Sequence, residues 1–375
     1  MTKLPIIADA GDIRGKRVLL RLDLNTPVAD GKITDTYRID KVIQTIDHLH
    51  LAGARVIIIA HIETKENPTL LPVWHYINGF LPLKFCPTYF TPDSHDRVDE
   101  LKDGEIMMFE NIRMNPGEKI NDPRFAQKLA AYGDIYINEA FSVSHRPHAS
   151  VVGLPALLPH YAGPLFVEEV ENLSKAFSPS HPFVFILGGA KFETKLPLIE
   201  KFLRSADTVF VGGALANNVF KEKGYELGVS LVSEGEFGIK DMLSNPKFIY
   251  PIDVTARKAD GTVEIVDASA VQSGDYIADC GPKTIVLLKE QIAQAKFVLW
   301  NGPVGNYEIG FTDKTEQLAE IMSQSTSETI VGGGDTLSAI QSLGVMDKFS
   351  FVSTAGGAML DFLANETLVG IQALM

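Results

Sequence analysis

The chain has 375 residues, 45% of them apolar and 22% charged. This is an ordinary globular balance on a length that exceeds one comfortable core, so two domains are expected. A formal net charge of −13 argues against a general nucleic-acid binder, although a local basic cleft for a small anion can persist on an acidic protein. No apolar run approaches the ~20 residues that span a bilayer, and the opening Met-Thr-Lys-Leu-Pro lacks a secretory apolar segment. Two distant cysteines, Cys86 and Cys280, suit the reducing cytoplasm.

Short β-branched runs alternate with helical patterns along the chain. Strands are expected at 17–22, 55–60, 105–109 and 135–138, then at 183–187, 208–211, 297–300, 329–331 and 349–352. Ile39, Val42, Ile43, Ile46 and Leu49 follow helical spacing, with Gly53 as the stop. A helix over 166–177 could bridge two lobes, with the domain boundary near 151–158. Segment 248–268, turning at Asp260-Gly261, reads as a β-hairpin excursion. Strands alternating with helices imply parallel sheets covered on both faces, with ligands at the carboxyl ends of the strands.

In the first half those ends gather arginine and histidine. Arg21, Asp23 and Asn25 follow the first strand, and Arg38 opens the first helix. His61 follows the second strand, Arg113 the third, and Arg146 the fourth within Ser144-His-Arg-Pro-His148. Guanidinium forks bind phosphate and carboxylate bidentately, so such a cluster suits a small, multiply anionic ligand. His145 and His148 could equally be satisfied structural residues.

In the second half the strand ends carry glycine. Leu187-Gly-Gly-Ala-Lys191 runs into Phe192-Glu-Thr-Lys195, where two lysines four apart would project from one helix face beside a glycine turn. Gly212-Gly213-Ala214, Trp300-Asn-Gly-Pro-Val-Gly305 and Val331-Gly-Gly-Gly-Asp-Thr336 repeat the theme. Clusters after successive strands of one domain point to a nucleotide, with Asp335 placed to hold Mg²⁺ and Glu308 placed for ribose hydroxyls. No Walker sequence is present, and no Gly-x-Gly-x-x-Gly opens a βαβ unit, which disfavours a dehydrogenase.

Taken in order, Arg21-Leu-Asp-Leu-Asn25, Glu110-Asn-Ile-Arg113, Asn138-Glu-Ala-Phe141 with His145-Arg146, Gly188-Gly-Ala-Lys191, Trp300-Asn-Gly-Pro-Val304 and Gly332-Gly-Gly-Asp-Thr336 resemble the phosphoglycerate kinase family nearly end to end. The resemblance implies an α/β fold of two Rossmann-like lobes with parallel sheets joined by an interdomain helix. A glycerate-binding domain would occupy 1–152, the interdomain helix region 153–177 and a nucleotide-binding domain 178–353. The C-terminal segment 354–375 would pack back on the first domain. The implied activity is the glycolytic, reversible phosphoryl transfer from 1,3-bisphosphoglycerate to MgADP on domain closure, with Mg²⁺ and ADP/ATP, by a cytoplasmic monomer whose partners are small molecules only. By position, Asp23, Asn25, Arg38, His61, Arg113 and Arg146 would bind the glycerate. Gly189, Ala190, Lys195, Gly213, Asn301, Pro303, Glu308, Gly333, Gly334, Asp335 and Thr336 would bind the nucleotide, with Asp335 also the metal ligand. Arg38, Lys191, Lys195 and Gly334 would be catalytic. Both nucleophiles, a carboxylate and a diphosphate oxygen, are already ionised at neutral pH, so no general base is required.

The chain also departs from the family pattern. His-Leu-Gly-Arg-Pro reads His61-Ile-Glu-Thr64-Lys65 here, and Thr194 replaces an aspartate, so two residues that can pair on closure are lost together. Lys65 with Glu193 is a conceivable replacement, against which a one-residue shift rotates a helical side chain by about 100°. Asn306, Ile277, Ala355 and Met359 alter the nucleotide lobe, Met359 in place of a helix-capping serine. The alternative to an active kinase is a degenerate paralogue that binds ligands or partners with little turnover.

Overall fold

Runs such as Arg-Val-Leu-Leu-Arg-Leu-Asp and Phe-Val-Leu-Trp-Asn are buried almost throughout, the mark of parallel strands covered on both faces. The computed structural model describes residues 3–63 and 68–375. These group into two compact units. One runs to Glu171 and includes Thr367–Met375; the other spans Asn172–Glu366.

The sheet of the first unit has six parallel strands in the order Leu83–Cys86, Ile106–Phe109, Arg55–His61, Arg17–Asp23, Ile135–Asn138, His160–Ala162. Arg17–Asp23 lies between Arg55–His61 and Ile135–Asn138, where the winding direction reverses. Helix Tyr37–Leu51 covers one face with Ile39, Val42, Ile46 and Leu49, each fully buried side chain worth about 1.5–3 kcal/mol. The helix ends at Ala52, and Gly53 at φ +79° turns the chain toward the next strand. Strands Leu83–Cys86 and His160–Ala162 were not among those expected. Both lie at sheet edges, and they are too short to show periodicity. Arg21 is placed differently from its expected position after the first strand. It lies inside the strand, with no exposed surface.

Helix Pro164–Ser174, continued by a 3₁₀ turn over Lys175–Phe177, carries the chain from one unit into the other. The buried Glu139 carboxyl holds its first turn, accepting from Phe166 N at 3.2 Å and from the Thr45 hydroxyl, and burial pushes this group up to about 7. The terminal helix Val369–Ala373 is tied to the first unit by Gly370 N donating to Ser144 O at 2.8 Å. Helix Gly357–Asn365 lies in the second unit, where Lys201 Nζ donates to Leu363 O at 2.7 Å.

In the second unit the parallel strands run Phe248–Ile249, Thr208–Val211, Phe183–Leu187, Phe297–Asn301, Glu328–Gly332, Phe351–Ser353. Numbered along the chain this is 3-2-1-4-5-6, the dinucleotide-fold order, whose ligand crevice opens beside the first and fourth strands. The expected hairpin over 248–268 is only partly hairpin. Phe248–Ile249 is a parallel edge strand of the main sheet, while Asp253–Arg257 pairs antiparallel with Val263–Asp267 and also with Tyr276–Cys280. No helix among the described residues is long and apolar enough to cross a membrane.

Candidate functional site

The carboxyl end of the first sheet carries a connected polar cluster. Asp23 ends the central strand and accepts from Arg38 Nη1 at 2.8 Å, from Asn25 N at 3.0 Å and from the Ser142 hydroxyl. Burial alone would raise this carboxyl. Arg38, His61, the Ser142 hydroxyl and the Asn25 N–H outweigh it and hold Asp23 at about 2. Behind it, Arg21 Nε donates to Ser150 Oγ at 2.8 Å, and the Ser150 hydroxyl donates to Oε1 of the buried Glu118 at 2.6 Å. Arg21 Nη2 lies 3.2 Å from His61 Nδ1. Burial and Arg21 hold the His61 pKa well below its ordinary value, so the ring is neutral and carries its proton on Nε2. His148, only 7% exposed, falls to about 4 through burial and then Arg113, Arg21, Arg146 and Lys119. Arg113 sits in the 3₁₀ turn Ile112–Met114 after Ile106–Phe109, and Arg146 is exposed and donates through Nε to His145 Nε2 at 3.1 Å.

Burial first, and then the neighbouring Arg21 and Arg113, keep both histidines neutral. Among the described residues, Nε, Nη1 and Nη2 of Arg113 are buried and make no hydrogen bond, although Nη1 lies 2.6 Å from Glu63 Oε1. Glu63 therefore meets the guanidinium by charge at Nη1, and Nε and Nη2 are the atoms left without any partner among the described residues. A buried guanidinium with unspent hydrogens is costly unless an anion meets it. Thr64 and Lys65, where the family pattern departs, lie outside the described residues.

In the second unit a cleft of about 220 Å³ opens beside Phe183–Leu187 and Phe297–Asn301. Gly189, Ala190, Gly213, Pro303, Glu308 and Asp335 line one part, and Ala216, Phe220, Val254, Ile277 and Val304 form an apolar wall. Asn217 lines the cleft too. Its Nδ2 donates to Leu231 O at 2.9 Å, and Oδ1 is buried without a partner among the described residues.

The N–H groups of Gly189 and Gly213, which line this cleft, are already engaged. Gly188 N donates to Asn301 O at 2.8 Å, Gly189 N to Pro303 O at 3.1 Å and Gly213 N to Val304 O at 3.0 Å, so these N–H groups bind neighbouring loops and face no anion. Gly188 is required by proximity, because a Cβ there would lie 2.0 Å from Pro303 O. Gly188→Ala is expected to cost about 1–3 kcal/mol or more and to weaken ADP binding, read from urea unfolding and from ADP titration. Full retention of both would show that the turn has slack.

The lysines also differ. Lys191 is the extended N-cap of helix Phe192–Ser205 and is exposed, so it does not stack with Lys195 on a helix face. Lys195 folds back over Gly189, where a Cβ would meet its Nζ at 2.5 Å, and donates to Gly188 O at 2.6 Å. Burial lowers Lys195 to about 8 against the opposing pull of Asp335. Burial and Glu308 in turn raise Asp335 above the usual carboxylate range.

The backbone groups left free are at 333–336. Gly333, at φ +106°, caps helix Gly334–Ser342 without a side chain, leaving the N–H groups of Gly334, Asp335 and Thr336 uncapped at the positive end of the helix. Thr336 Oγ1 is buried with no partner among the described residues. These groups fit a polyphosphate. No group of three metal-ligating side chains occurs among the described residues. A lone Asp335 suits Mg²⁺ that arrives with phosphates, since that ion needs only one or two protein carboxylates beside them.

Asn301 is 3% exposed and its Nδ2 lies 3.4 Å from Met359 Sδ, so Met359 fills space against Asn301 and Gly332, and helix Gly357–Asn365 starts at Gly356 without a side-chain cap. Asn306 donates to the Tyr276 hydroxyl and lines the cleft with Ile277. Thr194 bonds Lys191 O at 2.9 Å. Ser142, Lys119, Asn217 and the contact made by Glu63 were not read from the sequence. Nothing in their local pattern marks them, since each acts through residues remote in the chain.

The phosphoglycerate kinase family model matches residues 7–366. The chain is 39% identical to "Phosphoglycerate kinase" of Orientia tsutsugamushi (strain Ikeda), covering 97% of this chain and 95% of that protein. It is also 39% identical to "Phosphoglycerate kinase" of Chelativorans sp. (strain BNC1), over 100% of both. Two solved structures superpose over nearly their whole length. Phosphoglycerate kinase from Coxiella burnetii does so at TM-score 0.83 and 34% identity, covering 99% of both chains. Phosphoglycerate kinase from Pyrococcus horikoshii OT3 does so at 0.86 and 29%, covering 99% of this chain and 98% of that one. With the family model spanning almost all of the chain and relatives 39% identical over its full length, this protein belongs to the phosphoglycerate kinase family.

Proposed function

We propose that the chain catalyses its family's reaction, the reversible transfer of the acyl phosphate of 1,3-bisphosphoglycerate to MgADP. The bond from phosphorus to the carboxyl oxygen breaks and a bond to the terminal oxygen of ADP forms, releasing 3-phosphoglycerate as its carboxylate and ATP. Neither direction needs a general base, because each attacking oxygen is already ionised. The work is positioning and neutralisation of charge on the moving group.

In this reading Asp23, Asn25, His61, Arg113 and Arg146 hold the glycerate, with neutral His61 acting as a hydrogen-bond donor through Nε2. Arg38, Lys191, Lys195 and the N–H of Gly334 neutralise the phosphoryl group in flight, in line, with no covalent enzyme intermediate. Glu308 takes the ribose hydroxyls. Asp335 would hold the Mg²⁺ that accompanies the nucleotide, an ion that supplies positive charge to the phosphates. Transfer requires the two ligands to meet, so closure of the units is part of the proposal, as is a monomeric cytoplasmic enzyme.

The observation that carries this reading is the buried guanidinium of Arg113, whose Nε and Nη2 have no partner among the described residues and whose Nη1 meets only the half-exposed Glu63. No observation favours a paralogue without turnover. The test is ATP formation from 1,3-bisphosphoglycerate and MgADP in a coupled assay, and turnover no greater than in an enzyme-free blank would overturn the assignment.

A further inference from the structure

Glu63 is a carboxylate placed in the middle of a phosphate site. Its Oε1 lies 2.6 Å from Arg113 Nη1 and 3.3 Å from Lys119 Nζ. Its backbone is fixed, because Glu63 N donates to Asn25 Oδ1 at 2.8 Å, and Asn25 N in turn is bound by Asp23 at 3.0 Å. The loop is therefore anchored to the glycerate-site residues while the side chain reaches over Arg113. The Arg113 side chain is 3% exposed, whereas that of Glu63 is 47% exposed. One partner is buried in the floor and the other stands half in solvent. Burial would raise Glu63, yet Arg113 and Lys119 keep its carboxyl below the usual range, so it is charged at working pH.

We propose that Glu63 is a built-in counterion of the phosphate site, which any phosphorylated ligand must displace from Arg113, and that it thereby sets the affinity of this chain for its glycerate substrate. The inference rests on the reading of Arg113 as part of the glycerate site. Three features support displacement over permanent pairing. Glu63 meets Arg113 at Nη1 alone, while Nε and Nη2 are buried without a partner among the described residues, so part of the planar fork is left for a phosphate. Arg21, Arg146 and Lys119 act on the same region, as their joint effect on His148 shows, so a phosphate dianion gains from several cations where one carboxylate gains from two. Glu63 is 47% exposed and returns to water when released, and the incoming phosphate replaces it on the buried Arg113, so no charge is left stranded by the exchange. The position has glycine in the family pattern, and the device is accordingly a property of this chain.

The consequence is a KM held higher than the arginine cluster alone would give. Glu63→Gln keeps the shape and removes the charge, and Glu63→Gly removes the side chain. Both are expected to bind 3-phosphoglycerate roughly 3- to 10-fold more tightly, with a matching fall in its KM. Calorimetric titration of the full-length protein and each variant with 3-phosphoglycerate, and separately with inorganic phosphate, tests this. Equal or weaker binding of both ligands by both variants overturns the inference, because Glu63 would then be supporting Arg113 in its binding pose. If the unaltered protein binds phosphate but not 3-phosphoglycerate, the glycerate reading fails. The counterion inference then stands or falls on whether the variants tighten phosphate. Absence of any binding to protein or variants overturns both.

Discussion

Lys195→Ala is expected to lower kcat by roughly 10²- to 10³-fold while changing the KM for ADP much less. The size follows from removing one preorganised cation aimed at developing charge in a site shielded from water. Lys195 is suited to that task because its ammonium is fixed by Gly188 O at 2.6 Å and does not have to be ordered by substrate. The same burial gives it a pKa of about 8, and this makes a second, independent test. A lysine lowered from its ordinary value is charged below that pKa and loses its charge as pH rises through it. Activity measured as kcat/KM, which reports the free enzyme, should therefore fall on the alkaline side with an apparent pKa near 8. Bound phosphates favour the ammonium, so the corresponding limb in kcat should move to higher pH. Lys195→Arg cannot deprotonate in this range and should flatten the limb whatever its absolute rate. An alkaline limb of unchanged position in Lys195→Arg would assign it to another group, and a Lys195→Ala loss confined to KM would remove the transition-state role.

Most strands were legible because they sit in the middle of sheets. Runs buried on both faces, such as 183–187 and 135–138, announce themselves by continuous apolarity. Leu83–Cys86 and His160–Ala162 were not legible, because edge strands of a few residues carry no period. In the sites, residue type was readable and residue employment was not. Arginine at a strand end signals an anion, but Arg21 lies inside its strand and props up Ser150 and Glu118. Glycine after a strand signals close approach, but at Gly188 the close neighbour is Pro303, while the free N–H groups belong to 334–336. The spacing of Lys191 and Lys195 implied a shared helix face only if the helix began before Lys191, and it begins at Phe192. Glu63 shows the limit most clearly. In sequence it is one acidic residue in a loop, and its meaning comes from Arg113 and Lys119, which enter the chain fifty and more residues later.

The largest loss is expected at Arg38. Its Nη1 is held by Asp23 at 2.8 Å, and the side chain remains 32% exposed, so one end of the guanidinium is clamped and the rest is presented outward. The clamp is itself permanent. With Asp23 held at about 2 by Arg38, His61, Ser142 and Asn25 against the opposing effect of burial, this carboxylate stays ionised across the whole working range. A cation oriented in advance loses no free energy to reorganisation when charge appears beside it, which is why a single such arginine is worth about 10³-fold in phosphoryl transfer. Arg38→Ala should therefore lose about 10³-fold in kcat, and Arg38→Lys should recover only part, since a point charge on a flexible stem cannot be clamped at one nitrogen and deliver another. Asp23→Asn keeps the arginine but loosens its orientation, and a smaller loss of about 10- to 100-fold is expected from misplacement alone. Because Asp23 titrates only near pH 2, its own protonation should produce no acid limb between pH 5 and 8 in the unaltered enzyme. The decisive measurement is single-turnover transfer in the three variants at saturating substrates. If Arg38→Ala transfers phosphate at the unaltered rate once saturated, the arginine only binds ground-state substrate, and the clamp by Asp23 serves affinity alone.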